Sequence, residues 1–224
     1  MPNYIIRLYK DSDYDAVRDI FSRGIKEHTK TAFFHTLSLP HIWAFLLAVF
    51  LVLLQVMGSY LLSSMAVSLS VAALWLLNRY IYATYVADSL ATDMMNIRKY
   101  YLEQDGYCFW VAELAGEIVG MVAAIPPYPP TGENQVELKR LSVPMKHRGK
   151  GIAKALCSTV IDYARKRGSS AVVLSTSLSQ SDASMLYLKM GFRKTNTETN
   201  EPFIIAKFID FRILYYQYDI PTQR

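Results

Sequence analysis

A basic, glycine-containing turn lies between an apolar strand and an amphipathic helix in the second half of the sequence. Apolar residues alternate along 136–143 before the turn and recur at helical spacing along 152–164 after it. A helix that begins directly after glycines presents unpaired backbone N–H groups at the positive end of its dipole, where phosphate oxygens bind. The sequence therefore predicts a site for a phosphorylated ligand beside a strand. The residues of the turn are Arg148, Gly149, Lys150 and Gly151.

The cysteines and histidines predict neither a disulfide framework nor a metal site. Cys108 and Cys157 lie in the interiors of a predicted strand and a predicted helix, and the four histidines have no metal-ligand spacing. Because neither thiol lies on an exposed basic turn, we expect no covalent thiol intermediate.

Hydrophobic residues make up 52% of the 224-residue chain, and the excess is concentrated in one run. Residues 42–77 contain no Asp, Glu, Lys, Arg or His. A soluble domain of this size cannot bury such a run, so it predicts a membrane-embedded segment. One helix would be about 54 Å long, against a hydrocarbon core of about 30 Å. A break near Gly58-Ser59 or Ser63-Ser64 would instead give a hairpin with legs of about 16–18 residues, and a single tilted span is the alternative.

Charge gives weaker information. A net charge of +5 suits phosphate ligands, anionic lipid and nucleic acid equally well. Basic residues occur on both flanks of the charge-free run, at Lys26 and Lys30 before it and at Arg79 and Arg98 after it. This distribution favours a cytosolic position for both flanks, and hence the hairpin.

The remaining segments predict an α/β (α+β) fold in which helices flank a mixed central sheet of about six to seven strands. The predicted strands are 4–9, 107–113, 117–124, 136–143, 171–176, 203–208 and 213–218. The predicted helices are 14–28, 85–101, 152–164 and 180–190. We divide the chain into a first strand and helix at 1–30, a membrane-embedded insertion at 40–78 and the rest of the folded domain at 79–224.

Two motifs resemble the signatures of the GCN5-related N-acetyltransferase superfamily. Residues 148–153 match its acetyl-CoA signature, Arg/Gln-x-x-Gly-x-Gly/Ala, and Leu186-Tyr187-x-x-x-Gly191-Phe192 resembles its second signature. The charge-free run, Thr92-Asp93-Met94 and residues 108–112 extend the similarity to the camello / N-acetyltransferase 8 family over nearly the whole chain. The resemblance implies an acetyl-CoA-dependent N-acetyltransferase of the endoplasmic reticulum membrane, with its acetyl-CoA site within residues 136–192.

The resemblance also implies roles for individual residues around acetyl-CoA. Tyr187 lies where the superfamily has its general acid, near the coenzyme A sulfur, and Gln180 lies where many relatives have an asparagine that contacts coenzyme A. An amide along the strand would face the thioester oxygen. The pyrophosphate would bind Arg148, Gly149, Lys150, Gly151, Ile152 and Ala153, and the pantetheine arm would pair with Leu141, Ser142 and Val143.

Three charged residues are candidates on the acceptor side. Glu137 is the candidate base for the amine proton, and its alternative role is a structural ion pair with Lys139. Strand alternation places Lys139 and Arg140 on opposite faces, so one of them would face the cleft and receive an acceptor carboxylate, a role we assign to Arg140. Asp93 is placed by the resemblance on a helix that borders the acceptor.

The sequence is compatible with four functions. The leading hypothesis is acetyl transfer by direct attack to a primary amine, with the amino group of cysteine S-conjugates as acceptor. Protein lysine N-acetylation, histones included, and aspartate N-acetylation are alternative reactions. A non-catalytic acetyl-CoA-binding membrane regulator of cell adhesion is the alternative from another class. The expected partners are acetyl-CoA, the amine acceptor and membrane lipid, with no nucleic acid and no metal.

Overall fold

A single seven-stranded mixed sheet forms the centre of the protein. The computed structural model describes residues 4–127, 134–199 and 204–221. Within these residues the strand order is β1-β2-β3-β4-β5-β7-β6. The strands are β1 (Tyr4–Leu8), β2 (Cys108–Leu114), β3 (Glu117–Ile125), β4 (Gln135–Ser142), β5 (Ala171–Ser177), β6 (Arg193–Thr199) and β7 (Arg212–Asp219). The helices are α1 (Tyr14–Lys26), α2 (His28–Ser38), α3 (Pro40–Met57), α4 (Tyr60–Ala91), α5 (Ile97–Tyr101), α6 (Ile152–Lys166), α7 (Ser181–Lys189) and α8 (Ile204–Phe208).

Helices cover both faces of the sheet, as the predicted α/β class requires. On one face α6 and α7 pack against the strands, with Leu156 and Val160 fully buried. On the other face α1, α5 and the end of α4 cover the strands, with Phe21 and Met121 buried between them. Most β2 and β3 side chains are buried on both faces of the sheet, which explains their nearly continuous apolar sequences.

The parallel strands β4 and β5 separate partway along their length. Their ladder consists of three residue pairs and ends at Glu137–Val173. Beyond that point β4 continues to Ser142, while β5 continues along β7 to Ser177. The stretch of β4 after Glu137 therefore borders an opening on its β5 side.

The charge-free run folds as a helical hairpin. Helix α3 ends at Gly58, whose φ of 64° is left-handed, and Ser59 caps α4 by accepting a hydrogen bond from the Leu62 amide. Of the two break points proposed, the chain uses Gly58-Ser59. Both helices are long and apolar enough to cross a membrane, and only 11% of the most apolar window of each is buried within the protein.

Two predicted elements are wrong. The helix expected at 85–101 is divided, because α4 continues to Ala91 and a turn separates it from α5. A helix, α8, replaces the strand expected at 203–208, and residue 203 itself lies outside the described part of the chain. The strand that the sequence analysis did not predict is β6, because its sequence RKTNTET has no apolar face. Because β6 is an edge strand that pairs with β7 alone, its side chains remain largely exposed.

The packing of α6 on the sheet predicts the effect of truncating a core side chain. Leu156→Ala should destabilise the protein by about 2–5 kcal/mol, because Leu156 is completely buried and its loss leaves a cavity. Leu188→Ala, at a 54% exposed position of α7, is the matched control and should change stability by less than about 0.5 kcal/mol. Thermal unfolding of both variants in the same detergent measures the difference. Equal shifts of Tm would contradict the described packing of α6.

Candidate active site

The basic turn forms the start of α6 as predicted. Gly149 and Gly151 have φ values of 77° and 78°, a left-handed backbone that other residues adopt only with strain. Gly151 is the N-cap of α6 and provides no side-chain hydrogen bond to the first amides of the helix. Space within 4 Å of a Cβ built on either glycine is open. These free amides beside cationic Lys150 suit the phosphate oxygens of a ligand.

Arg148 of the same turn has protein partners. Its Nε donates to the Val143 carbonyl at 3.0 Å, and its terminal nitrogen donates to the carboxylate of Glu27, at the junction of α1 and α2. His28 follows Glu27, and burial lowers the pKa of its imidazole. The junction of α1 and α2 therefore lies against the phosphate turn, and Glu27 and a bound phosphate would compete for the Arg148 guanidinium.

Arg140 and Asp93 form a buried ion pair. The Arg140 Nε and a terminal nitrogen donate to the two Asp93 oxygens at 2.9 and 2.6 Å, and both side chains are at most 10% exposed. Tyr101 also donates to Asp93, and Arg140 donates to the Tyr85 hydroxyl at 2.9 Å. The guanidinium lies over the Phe21 ring at 4.8 Å. Two residues predicted separately for the acceptor side are thus direct partners.

The expected alternation of Lys139 and Arg140 is wrong. Arg140 has a φ of 57° at an irregularity of the β3–β4 ladder, so that Leu138 and Leu141 both pack toward α6. Lys139 and Arg140 consequently share the opposite face of the sheet. Sequence alternation cannot reveal such a bulge, because it assumes one residue per pleat.

Glu137 lies on the same face, at the last β4–β5 pair. Its side chain is 12% exposed, and the Lys139 ammonium lies 3.5 Å from its carboxylate. The charges of Asp93, Arg140 and Glu137 all act on the Tyr100 hydroxyl, whose pKa is raised mainly by burial. Glu137 therefore has both the position expected of a base at the opening and the ion pair expected of its alternative role.

Tyr187 and Gln180 lie at the two ends of α7. Tyr187 is buried against the rings of Phe192 and Tyr216, and burial raises the pKa of its hydroxyl. Gln180 accepts a hydrogen bond from Thr176 just before α7 begins. Tyr187 thus remains protonated at neutral pH, as a proton donor must.

The two cysteines remain neutral thiols. Burial raises the pKa of Cys108 to about 11 and that of Cys157 to about 12. A neutral thiol is a poor nucleophile, which agrees with the expectation of no thiol intermediate. Among the described residues, no group of three or more His, Cys, Asp or Glu side chains is arranged to hold a metal ion.

Comparison with known families identifies the chain. The model of the acetyltransferase (GNAT) family matches residues 74–192, which include the β4–turn–α6 unit and α7. N-acetyltransferase 8 of Rattus norvegicus is 44% identical over 99% of this chain and 100% of its own length. The chain belongs to the acetyltransferase (GNAT) family. Its relatives within that family include N-acetyltransferase 8F1 of Mus musculus, which is 48% identical over 87% of this chain and 88% of its own.

A solved structure agrees with this assignment at the level of the fold. The N-acetyltransferase from Staphylococcus aureus Mu50 has a TM-score of 0.57 and 19% identity, covering 97% of this chain and 98% of that one. The resemblance to the N-acetyltransferase 8 family and the predicted fold class are therefore confirmed. As a member of this family, the protein is an acetyl-CoA-dependent N-acetyltransferase.

Several residues that contact the candidate site residues were not predicted from the sequence. Glu27 accepts a hydrogen bond from Arg148, which is 121 positions away in the sequence, and Tyr85 accepts one from Arg140, which is 55 positions away. Tyr82 of α4 hydrogen-bonds Ser179, in the loop that also holds Gln180. No local pattern signals such contacts, because each depends on how distant helices pack. Coevolving residue pairs are the kind of signal that reveals them.

The buried ion pair in this GNAT domain predicts a large stability effect. Asp93→Ala should destabilise the protein by about 3–5 kcal/mol, because Arg140 would remain buried without its counter-ion. The control is Asp11→Ala, which removes the partner of Arg98 from an ion pair whose side chains are 65% and 49% exposed. Its effect should not exceed about 1 kcal/mol.

Thermal unfolding of the two variants in detergent is the measurement. The double variant Asp93→Ala/Arg140→Met should recover part of the loss, since it removes the unpaired charge. A double variant as unstable as the sum of its single variants would contradict direct pairing.

Proposed function

We propose that this protein is a membrane-anchored enzyme that transfers acetyl from acetyl-CoA to the amino group of cysteine S-conjugates by direct attack. The observation that carries the proposal is the uncapped start of α6, flanked by left-handed glycines, beside the stretch of β4 that has parted from β5. A phosphate site and an adjacent strand edge together suit a ligand with a pyrophosphate and an amide-containing arm.

Acetyl-CoA fits the residues around this opening. The amides of 151–153 and the charge of Lys150 would hold the pyrophosphate, and Arg148 would exchange Glu27 for a phosphate oxygen. The backbone of Leu141, Ser142 and Val143 would hydrogen-bond the pantetheine arm, and Gln180 would approach it from the start of α7. One of the β4 amides would stabilise the negative charge that develops on the thioester oxygen.

The reaction needs two proton transfers, and we assign them to two residues. Acetyl-CoA supplies an activated acetyl group, whose bond to sulfur breaks as the amine nitrogen bonds to the carbonyl carbon. Glu137 would accept the proton that leaves the amine, directly or through a water. Tyr187 would donate a proton to the departing sulfur, because its hydroxyl is protonated at neutral pH.

The acceptor side combines aromatic rings and charges. Tyr85 and Tyr100 are partly exposed there, 50% and 36%, and the Arg140–Asp93 pair lies beside them. A cysteine S-conjugate has an apolar substituent, a carboxylate and an amine within one small molecule. The rings would contact the substituent, and the remaining Arg140 donors would bind the carboxylate.

The hairpin supports membrane anchoring of this domain. Residues 40–78 would form the embedded insertion, and residues 1–30 and 79–224 would form one acetyltransferase domain on the cytosolic side of the endoplasmic reticulum membrane. Each leg exposes large apolar side chains along its length, Leu51 and Val52 in α3 and Leu69 in α4 among them. Lipid would cover these side chains, and the low burial of both helices supports this proposal.

The left-handed glycines at the start of α6, Gly149 and Gly151, predict a specific loss of acetyl-CoA affinity when one is replaced. Gly151→Ala should raise the Kd for acetyl-CoA by about tenfold, because a side chain disfavours the left-handed N-cap by about 1–2 kcal/mol and so lowers the fraction of protein whose turn is competent to bind. Gly58→Ala, at the hairpin turn with a similar φ of 64°, is the control and should leave this Kd unchanged. Calorimetric titration of both variants is the measurement. Equal Kd values for the two variants would exclude the proposed phosphate site at the start of α6.

The proposed acid and base predict how activity depends on two side chains. Tyr187→Phe should lower kcat for S-benzylcysteine about 100-fold or more, whereas Tyr163→Phe, on α6, should not change it. Glu137→Gln should lower kcat to a similar extent, and Lys139→Met should not. A Lys139→Met loss as large as that of Glu137→Gln would favour the ion-pair role of Glu137 over the base.

Radiolabelled acetyl-CoA with S-benzylcysteine, aspartate and a lysine peptide compares the acceptors directly. The proposal for S-conjugates fails if the wild-type protein acetylates S-benzylcysteine no faster than the Glu137→Gln/Tyr187→Phe variant does.

A further inference from the structure

The short helix α8 is attached to the beginning of the first hairpin leg. His41 of α3 hydrogen-bonds the Phe208 carbonyl at 2.7 Å through its Nε2, and the Phe208 ring meets the Phe45 ring edge-on at 5.7 Å. Phe208 also packs against the cluster formed by Ile42, Leu46 and Leu74. The contacts of α8 with the hairpin therefore lie in the first two turns of α3 and beside Leu74 of α4.

The length of α3 fixes how deep those turns lie. Its 18 residues extend about 27 Å, close to the hydrocarbon thickness of about 30 Å. If α3 crosses the bilayer, nearly all of its length is needed, so its first turn lies at the lipid surface. Because α8 contacts that turn, α8 lies at the same level. This step depends on the membrane anchoring proposed above.

The outward face of α8 carries two large apolar side chains beside one cation, Lys207. Ile204 and Ile205 are 84% and 51% exposed, whereas Ala206 and Ile209 are buried against the protein. Trp43, which is 61% exposed in the first turn of α3, lies at the same end of the hairpin. Tryptophan and large aliphatic side chains are the residues with which interfacial helices enter the headgroup region.

We propose that the exposed face of α8 rests in the lipid surface and makes a further membrane contact, contributed by the acetyltransferase domain itself. Ile204 and Ile205 would enter the boundary between headgroups and acyl chains. Together with the continuous helix α4, this contact would fix which side of the domain faces the membrane.

The same segment continues to the loop beside the proposed acetyl-CoA site. After α8, the Phe211 ring meets the Tyr82 ring at 6.3 Å, and the Arg212 carbonyl accepts a hydrogen bond from the Leu178 amide at 2.9 Å. Tyr82 in turn hydrogen-bonds Ser179, next to Gln180. The lipid contact of α8 therefore supports the loop before α7 and holds this side of the site near the membrane.

The test measures membrane depth at three single-cysteine positions of the full chain in lipid nanodiscs. A Cys108→Ser background leaves only Cys157, which is fully buried. The labelled variants are Ile204→Cys in α8, Leu69→Cys in the second hairpin leg and Ile5→Cys on the edge strand β1. All three positions are more than half exposed, so labelling should not disturb the fold. Each cysteine carries an environment-sensitive fluorophore, and the lipids carry a nitroxide at a shallow or a deep acyl position.

At Ile204→Cys we expect emission shifted to the blue and at least about twofold stronger quenching by the shallow nitroxide than by the deep one, since interfacial helices lie about 5–10 Å into the boundary. Leu69→Cys should be quenched most by the deep nitroxide, and Ile5→Cys by neither.

Three results would overturn the inference. If Ile204→Cys behaves as Ile5→Cys does while Leu69→Cys is quenched, α8 does not contact lipid although the hairpin is embedded. A blue shift at Ile204→Cys without quenching would indicate that protein, such as a second copy of the chain, covers α8. If Leu69→Cys is not quenched either, the membrane anchoring itself is wrong, and the inference fails with it.

Discussion

A buried ion pair between Arg140 and Asp93 joins the strand beside the proposed acetyl-CoA site to the end of the long helix α4. Such a pair is stable only when both charges are hydrogen-bonded, and here Tyr101, Tyr85 and the Phe21 ring surround them. Arg140 has a left-handed conformation within β4. The bulge at Arg140 turns Lys139 and Arg140 toward one face, where the ion pair with Asp93 anchors the proposed acceptor side.

Helix α4 connects two environments. Its first half belongs to the charge-free hairpin, and its second half packs under α1 and ends two residues before Asp93. Because the helix is continuous, the orientation of the hairpin and the position of the acceptor-side residues are mechanically linked. Tyr82 adds a second link, to the loop that carries Gln180. An acetyltransferase domain built this way has its acceptor side formed partly by the helix that would anchor it.

Local periodicity predicted the elements that have a strong apolar face. The β2–β3 hairpin, β4, α6 and α7 occur where their patterns place them, because burial of one face determines both the sequence and the structure. The predictions for residues 204–208 and for β6 were wrong for opposite reasons. Residues 204–208 are apolar enough for a strand but dock on α3 as a helix. Strand β6 was not predicted because its sequence is too polar to indicate any burial. The end of α4 also lacked a local signal, since the helix passes from the charge-free run into the domain without a break.

The sequence by itself determined the ligand class and the family. The Arg148–Ala153 turn, Tyr187 and the charge-free run are local patterns that can be recognised without knowing which distant residues contact them. The tertiary structure decided which charges meet: Arg140 with Asp93, Arg148 with Glu27 and Glu137 with Lys139. It also decided that β4 parts from β5 after Glu137 and that α8 lies against the hairpin. Two of these ion pairs join residues more than 40 positions apart, and their energy depends on burial and distance, which no local pattern of residues specifies.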